Sequence, residues 1–167
     1  VRSGVEFWPA AVAAVLVVAW SGHRDQVKPI ARVAALAPFA LVGYGAYEAA
    51  CLFRDGCYGP VSPVGLTPNG LTTPMLPVGI LMGVGAVAAA VFVSRQQRRG
   101  WSPGAVLWAA VTSVGLVRSL GSVWLPKVGG ELSRQHRTSI LVTVLAGLLT
   151  ASGLVRVARR PIEKVQA

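Results

Sequence analysis

The sequence predicts an all-α membrane protein, a single domain over residues 1–167 built as a bundle of about five transmembrane helices. Of its 167 residues, 53% are hydrophobic and only 13% are charged, whereas soluble domains carry roughly 25% charged residues. A chain of this length cannot bury so much Val, Ala and Leu in one aqueous core. Four apolar stretches also have the length of about 20 residues that crosses about 30 Å of hydrocarbon.

The predicted spans follow one another along the chain. The four long stretches cover residues 30–50, 75–93, 104–125 and 139–157. A shorter stretch, residues 7–20, reaches only about 21 Å at 1.5 Å per residue, so we expect this span to begin near residue 5. Trp8 and Trp20 bracket it, as interfacial aromatic residues do. Glu6 lies where a signal peptide has its basic region, which favours a membrane span over a cleaved leader.

The distribution of Lys and Arg predicts the direction of the spans. With five spans, the connections on one side of the membrane carry ten basic residues and those on the other side carry five, while Arg118 lies within a span. Because basic loops stay in the cytoplasm, we expect the N-terminus outside and the C-terminus in the cytoplasm. The ten are Arg24, Lys28, Arg32, Arg95, Arg98, Arg99, Arg156, Arg159, Arg160 and Lys164; the five are Arg2, Arg54, Lys127, Arg134 and Arg137.

The net charge of +10 therefore reflects membrane topology. On a soluble protein it would suggest nucleic acid, but this chain offers no soluble basic surface interleaved with aromatic residues. We expect membrane lipids, including anionic phospholipid, and other membrane subunits as partners, and no nucleic acid.

The long loop, residues 51–74, is predicted to lie outside and carries two cysteines, Cys51 and Cys57. Its prolines favour a stiff, extended course and Asn69-Gly70 favours a turn; loops of this length are functional, packed against something, or plain linkers. An external location permits a disulfide, which would mainly fix the shape of residues 52–56. Two buried free thiols, a redox-active pair and a zinc site with His136 are the alternatives, although zinc lacks an obvious fourth ligand.

Two charged residues inside the spans are the most informative, because charges are costly in lipid and face a cavity or a partner. Glu48 and Arg118 both fall near the outer end of their spans, so they can lie at a similar depth. They could form an ion pair that locks two helices, Arg118 could bind a lipid phosphate, or both could reach the interface separately. Tyr44, Tyr47 and Trp124 could line the same space or act as interfacial anchors.

Small residues predict where helices approach closely. Gly79 and Gly83 form a Gly-x-x-x-Gly pattern, and Ala10, Ala13 and Ala14 offer a second small face. Such faces pack helices within one chain or against a partner subunit. The sequence contains no P-loop, dinucleotide-binding or Ser-His-Asp pattern, and we expect no metal and no cofactor.

The order of these features resembles the C-terminal part of bacterial prolipoprotein diacylglyceryl transferase, a family of polytopic membrane enzymes. Residues 34–60, AALAPFALVGYGAYEAACLFRDGCYGP, are similar to the family's LAPALALGxxxGRxGCFxxGCCYG segment, including Cys51, Cys57 and Tyr58. An Arg within the later span and the Ser-Arg-Gln-His-Arg-Thr-Ser run at 133–139 continue the similarity. The resemblance implies a helical bundle in a bacterial plasma membrane, with its N-terminus outside, as the charge count also predicts.

The departures from the family pattern concern the catalytic set. Glu48 stands where relatives carry an Arg thought to bind the phospholipid head group. In the family's R-F-x-x-E-x-x-R run, Arg118 is kept, but Ser122 replaces the Glu and Leu125 replaces the second Arg. The family's catalytic histidine stretch and two N-terminal spans have no counterpart here, and His136 is expected in a loop.

These departures predict a scaffold without the active site. The leading hypothesis is a non-catalytic membrane subunit that acts in a larger complex through partner and lipid contacts. The alternative is a phospholipid-dependent diacylglyceryl or acyl transferase acting on a thiol, which needs cations on the phosphate and a base for the thiol. A third hypothesis is that the chain is a lipid-binding or thiol-active assembly factor.

Overall fold

The computed structural model describes residues 7–54, 57–125 and 134–163, and within them the chain forms five α-helices and one short strand. The helices are α1 (Phe7–Arg24), α2 (Pro29–Ala50), α3 (Val78–Arg98), α4 (Pro103–Trp124) and α5 (Arg134–Glu163), and the strand is β1 (Val61–Leu66). Three of the counted basic residues, Arg2, Lys127 and Lys164, lie outside the described residues, and so do Glu6 and Ser133.

Among the described residues, three segments are long and apolar enough to cross a membrane: Pro29–Phe53, Val78–Arg98 and Pro103–Trp124. The first runs through α2 into a 3-10 turn, Cys51–Arg54. A mostly helical chain with apolar spans is therefore what the sequence predicted, while the number of spans and their direction stay predictions.

The helix starts follow from local sequence. Pro29 and Pro103 each occupy a first helical position, where the missing N–H is not needed. The Ser102 hydroxyl accepts from the Ala105 N–H at 3.3 Å and caps α4. Before it, Gly100 adopts φ +79°, the left-handed conformation that ends α3.

The long loop is more ordered than a linker. Val61 and Leu66 of β1 each form a bridge with Met75, and Leu76 donates its N–H to the Pro60 carbonyl at 3.0 Å. This pairing takes residues 75 and 76, so α3 begins at Val78, three residues after the predicted span limit. Asn69-Gly70 does form the predicted turn, with Gly70 at φ +76°.

The start of α5 also differs from the sequence expectation. The predicted spans left residues 126–138 as a loop, but α5 already begins at Arg134. A helical backbone continues past the apolar segment, since hydropathy marks the lipid boundary and not the end of the hydrogen-bonded helix. His136 therefore lies in the first turn of a helix, and its expected place in a loop was wrong.

The packed centre of the bundle lies among α2, α3 and α4. One buried cluster joins Leu41, Val93 and Val106, and a second joins Tyr44, Val78 and Met82. α5 packs along α4, whereas the backbone of α1 contacts α2 alone among the described helices.

Gly79 and Gly83 bring α3 against α2 within this chain. A Cβ at Gly79 would lie 2.5 Å from the Glu48 carbonyl oxygen, and one at Gly83 would lie 2.9 Å from the Gly45 carbonyl oxygen. Only glycine permits so close an approach. The predicted small-residue face is thus used for intramolecular packing, which leaves it no room for a partner helix.

Candidate functional site

Glu48 and Arg118 meet near the long-loop end of the bundle. Arg118 Nη1 donates to Glu48 Oε1 at 2.9 Å, which joins α4 to α2. The same nitrogen lies 3.3 Å from the Tyr44 hydroxyl, one helical turn before Glu48. Both charged side chains are largely covered, with exposed fractions of 7% for Glu48 and 15% for Arg118. The structure therefore places a charge-assisted hydrogen bond inside the helix bundle.

Aromatic rings cover the guanidinium. The Arg118 Cζ lies 4.1 Å from the centroid of the Phe7 ring and 5.9 Å from that of Tyr44. The two rings are 5.2 Å apart, so Phe7 on α1 closes over the pair. A cation over an aromatic face gains electrostatic stabilisation, most strongly where water is excluded.

The three aromatic residues expected near this depth divide into two groups. Tyr44 is buried and belongs to the site. Tyr47 and Trp124 are 57% and 46% exposed, which is the placement typical of interfacial anchors. The sequence could not separate them, because their depth alone does not fix which way each helix face points.

A second polar contact lies one turn along α4. The Ser122 hydroxyl forms a short hydrogen bond with His136 Nδ1, and Ser122 also donates to the Ser119 carbonyl at 3.0 Å. His136 is only 6% exposed. Because Ser122 follows Arg118 by four residues, both occupy the same side of α4. That spacing was visible in the sequence, but the assignment of His136 to a loop concealed its partner.

Trp8 connects α1 to α5 close to the Ser122–His136 contact, since Ser139 follows His136 by three residues on α5. Its indole Nε1 donates to Ser139 Oγ at 3.1 Å, and Ser139 is 1% exposed. The sequence predicted Trp8 as an interfacial residue and did not identify Ser139 as its acceptor. α1 is thereby held at its first turn by a hydrogen bond to α5 and by Phe7 over Arg118.

Cys51 and Cys57 form a disulfide with a Cα–Cα distance of 5.8 Å. It follows directly on α2, and the Cys57 carbonyl accepts from the Gly79 N–H at 3.1 Å. The bond therefore ties the end of α2 to the start of α3, immediately beside Glu48. Its effect is to hold the long loop against the bundle.

This arrangement determines what Arg118 can bind. A guanidinium binds phosphate through the same donors that bind a carboxylate. Here Glu48 already accepts from Nη1, and Phe7 covers the group. An incoming phosphate would lie close to the negative charge of that carboxylate, which Coulomb repulsion opposes.

Comparison with known proteins returned no matching protein-family model, no matching curated protein and no matching solved structure.

Proposed function

We propose that the chain is a non-catalytic integral membrane subunit with a diacylglyceryl-transferase-like scaffold. In this proposal it crosses the plasma membrane about five times, with its N-terminus outside, and acts in a larger complex through partner and lipid contacts. The observation that carries the proposal is the Glu48–Arg118 ion pair at 2.9 Å beneath Phe7.

The chemistry of the family's reaction explains why this observation matters. Diacylglyceryl transfer starts from anionic phosphatidylglycerol, so its site must stabilise phosphate charge with cations. A carboxylate at position 48 reverses the sign of one side of that site. The remaining cation, Arg118, is engaged by this carboxylate, so the pair is suited to holding two helices together.

Ser122 and His136 support a second candidate function, a transferase that uses lipid and a thiol. A histidine hydrogen-bonded to a hydroxyl is a common acid-base arrangement. In that reaction the thiol sulfur would form a bond to the glyceryl carbon, and the bond between that carbon and the phosphate oxygen would break. Glycerol phosphate would leave, and His136 would take the thiol proton.

One preparation tests both functions: the full chain, extracted from its native membrane in mild detergent. For a subunit we expect a stoichiometric membrane partner to co-migrate, and no transfer of label from phosphatidylglycerol to a lipobox peptide. If the Glu48–Arg118 pair only joins two helices, it takes no part in a transfer reaction. The Arg118→Ala variant should then lose partner binding or stability and nothing else.

The contrary results are equally specific. A chain that migrates alone would contradict the subunit proposal. Transfer that is abolished by Arg118→Ala and by His136→Gln, yet kept in the exposed control Arg98→Ala, would establish the transferase.

A further inference from the structure

An apolar cavity of about 270 Å³ lies between α1, α2 and α4. Alanines form much of its wall: Ala11 and Ala14 on α1, Ala37 and Ala40 on α2, and Ala110 on α4. No charged residue lines it. The groove exists because the backbone of α1 packs against α2 and not against α4, so the small side chains leave the space between α1 and α4 unfilled.

The length, volume and lining of the groove are suited to a single hydrocarbon chain. Along α2 it extends from Val33 to Tyr44, eleven residue steps or about 16 Å at 1.5 Å per residue. A dry apolar cavity of about 150 Å³ already admits benzene, and this one holds about 270 Å³. The charges at its two ends, described next, favour a lipid chain over a partner helix as the occupant.

The groove is closed at the long-loop end. There the Phe7 and Tyr44 rings meet at 5.2 Å, and Phe7 also lies over the Arg118 guanidinium. The Trp8 indole is fixed to Ser139 beside them. A lipid with its phosphate at that end would meet these rings and an Arg118 that is already bonded to Glu48.

The opposite end of the groove has the complementary charge for a phospholipid. It ends at Val18 and Val33, about 9 Å and 6 Å of helix from the turn that joins α1 to α2. That turn and the helix ends beside it carry Arg24, Lys28 and Arg32 against one acid, Asp25, which pairs with Arg32 at 3.0 Å. The Arg24 and Lys28 residues are exposed, so a phosphate can reach them, and the intervening turns provide the depth for its glycerol.

We propose that this groove binds one acyl chain of an anionic phospholipid whose phosphate lies against Arg24 and Lys28. On the predicted topology the lipid belongs to the cytoplasmic leaflet, on the other side of the membrane from the Glu48–Arg118 site. It therefore fills the bundle instead of serving as a substrate. The inference deepens the proposed function: it names one of the lipid contacts and rests on the same proposed topology.

Photo-crosslinking tests the proposal. The full chain is placed in phosphatidylcholine nanodiscs with a phosphatidylglycerol that carries a diazirine near the end of one acyl chain. Cross-links should map to the groove walls on α1, α2 and α4. Ala14→Phe and Ala40→Phe, at exposed positions in the groove, should lower the yield at least fivefold, whereas Ala88→Phe on the exposed face of α3 should not.

The head-group contact is tested separately. Arg24→Gln and Lys28→Gln should each lower the yield with phosphatidylglycerol on the order of fivefold, and leave the yield with a matched phosphatidylcholine probe unchanged. Arg99→Gln, in the turn between α3 and α4, is the charge-matched control.

Three results would overturn the inference, provided that the helical content of each variant is unchanged. They are undiminished cross-linking after the groove is filled, equal labelling by the two lipids in every variant, and capture of a second polypeptide by a cysteine placed at Ala14. None of these measurements requires a partner subunit or a transfer reaction, so their failure is distinguishable from failure of the proposed function.

Discussion

At the scale of single residues, Arg118 contacts three side chains on two other helices. Its guanidinium contacts Glu48 and Tyr44 on α2 and the Phe7 ring on α1. Taking one partner away from a buried ion pair leaves an uncompensated charge, whereas replacing both partners by apolar residues removes the desolvation cost as well. The ion pair therefore has a characteristic signature in a double-mutant cycle.

We expect Glu48→Met or Arg118→Met alone to lower the free energy of unfolding by about 3–5 kcal/mol. The double variant should recover most of that loss, because no charge is then left buried. Denaturant titration in detergent, followed by circular dichroism, measures each value.

The chain contains a matched control for this cycle. Arg32 and Asp25 also pair at 3.0 Å, but their side chains are 39% and 53% exposed. Asp25→Asn should therefore change stability by only about 0–1 kcal/mol. If Arg118→Met were as harmless as Asp25→Asn, the pair would not lock the helices.

Individual residues show what the sequence could predict about this site. Glu48 and Arg118 could be placed at a similar depth, because both precede the same end of their spans. Phe7 as their cover and His136 as the partner of Ser122 could not be predicted. Those contacts depend on how α1 and α5 are rotated about their axes. α1 is almost uniformly apolar, so it carries little periodicity to fix that rotation, and the part of α5 that holds His136 was expected to be a loop.

At the scale of helices, the crossing of α2 and α3 depends on glycine. A Cβ at Gly83 would lie 2.9 Å from the Gly45 backbone oxygen, whereas a Cβ at Gly43 meets nothing within 4 Å. Gly83 on α3 is tightly packed, whereas Gly43 on α2 faces open space. Alanine substitutions at these two positions therefore separate the effect of close packing from that of helix propensity.

Gly83→Ala should therefore destabilise the protein by about 1–3 kcal/mol through overpacking. Gly43→Ala should instead stabilise it by up to about 1 kcal/mol, because alanine is the better helix former. Thermal unfolding of both variants in the same detergent gives the comparison. Changes of the same sign would contradict the close crossing.

Helix boundaries could be predicted where the residue type sets them. They could not be predicted where a long-range contact between backbone segments sets them. Pro29 and the Ser102-Pro103 pair set the starts of α2 and α4 close to the predicted span limits. The start of α3 depends instead on the contact of Met75 with β1, a long-range pairing that hydropathy does not report.

At the scale of the whole molecule, the distribution of basic residues predicts how the chain is oriented in the membrane. Ten basic residues on one side against five on the other predict that the α1–α2 turn faces the cytoplasm and the long loop faces outside. The ion pair and the disulfide then lie toward the outer leaflet, and the open end of the apolar groove lies toward the inner one. The proposed function and the proposed phospholipid site both depend on this orientation of the chain in the membrane.

Cysteine labelling in intact bacterial cells tests the direction. Asn69 in the long loop and Val27 in the α1–α2 turn are both exposed and uncharged, so neither substitution alters the charge balance that sets topology. We expect Asn69→Cys to react with a membrane-impermeant maleimide in intact cells, and Val27→Cys to react only after permeabilisation. The native chain is the background control, since Cys51 and Cys57 are joined in a disulfide. The reverse pattern would place the basic turns outside, and with them the proposed phospholipid in the opposite leaflet.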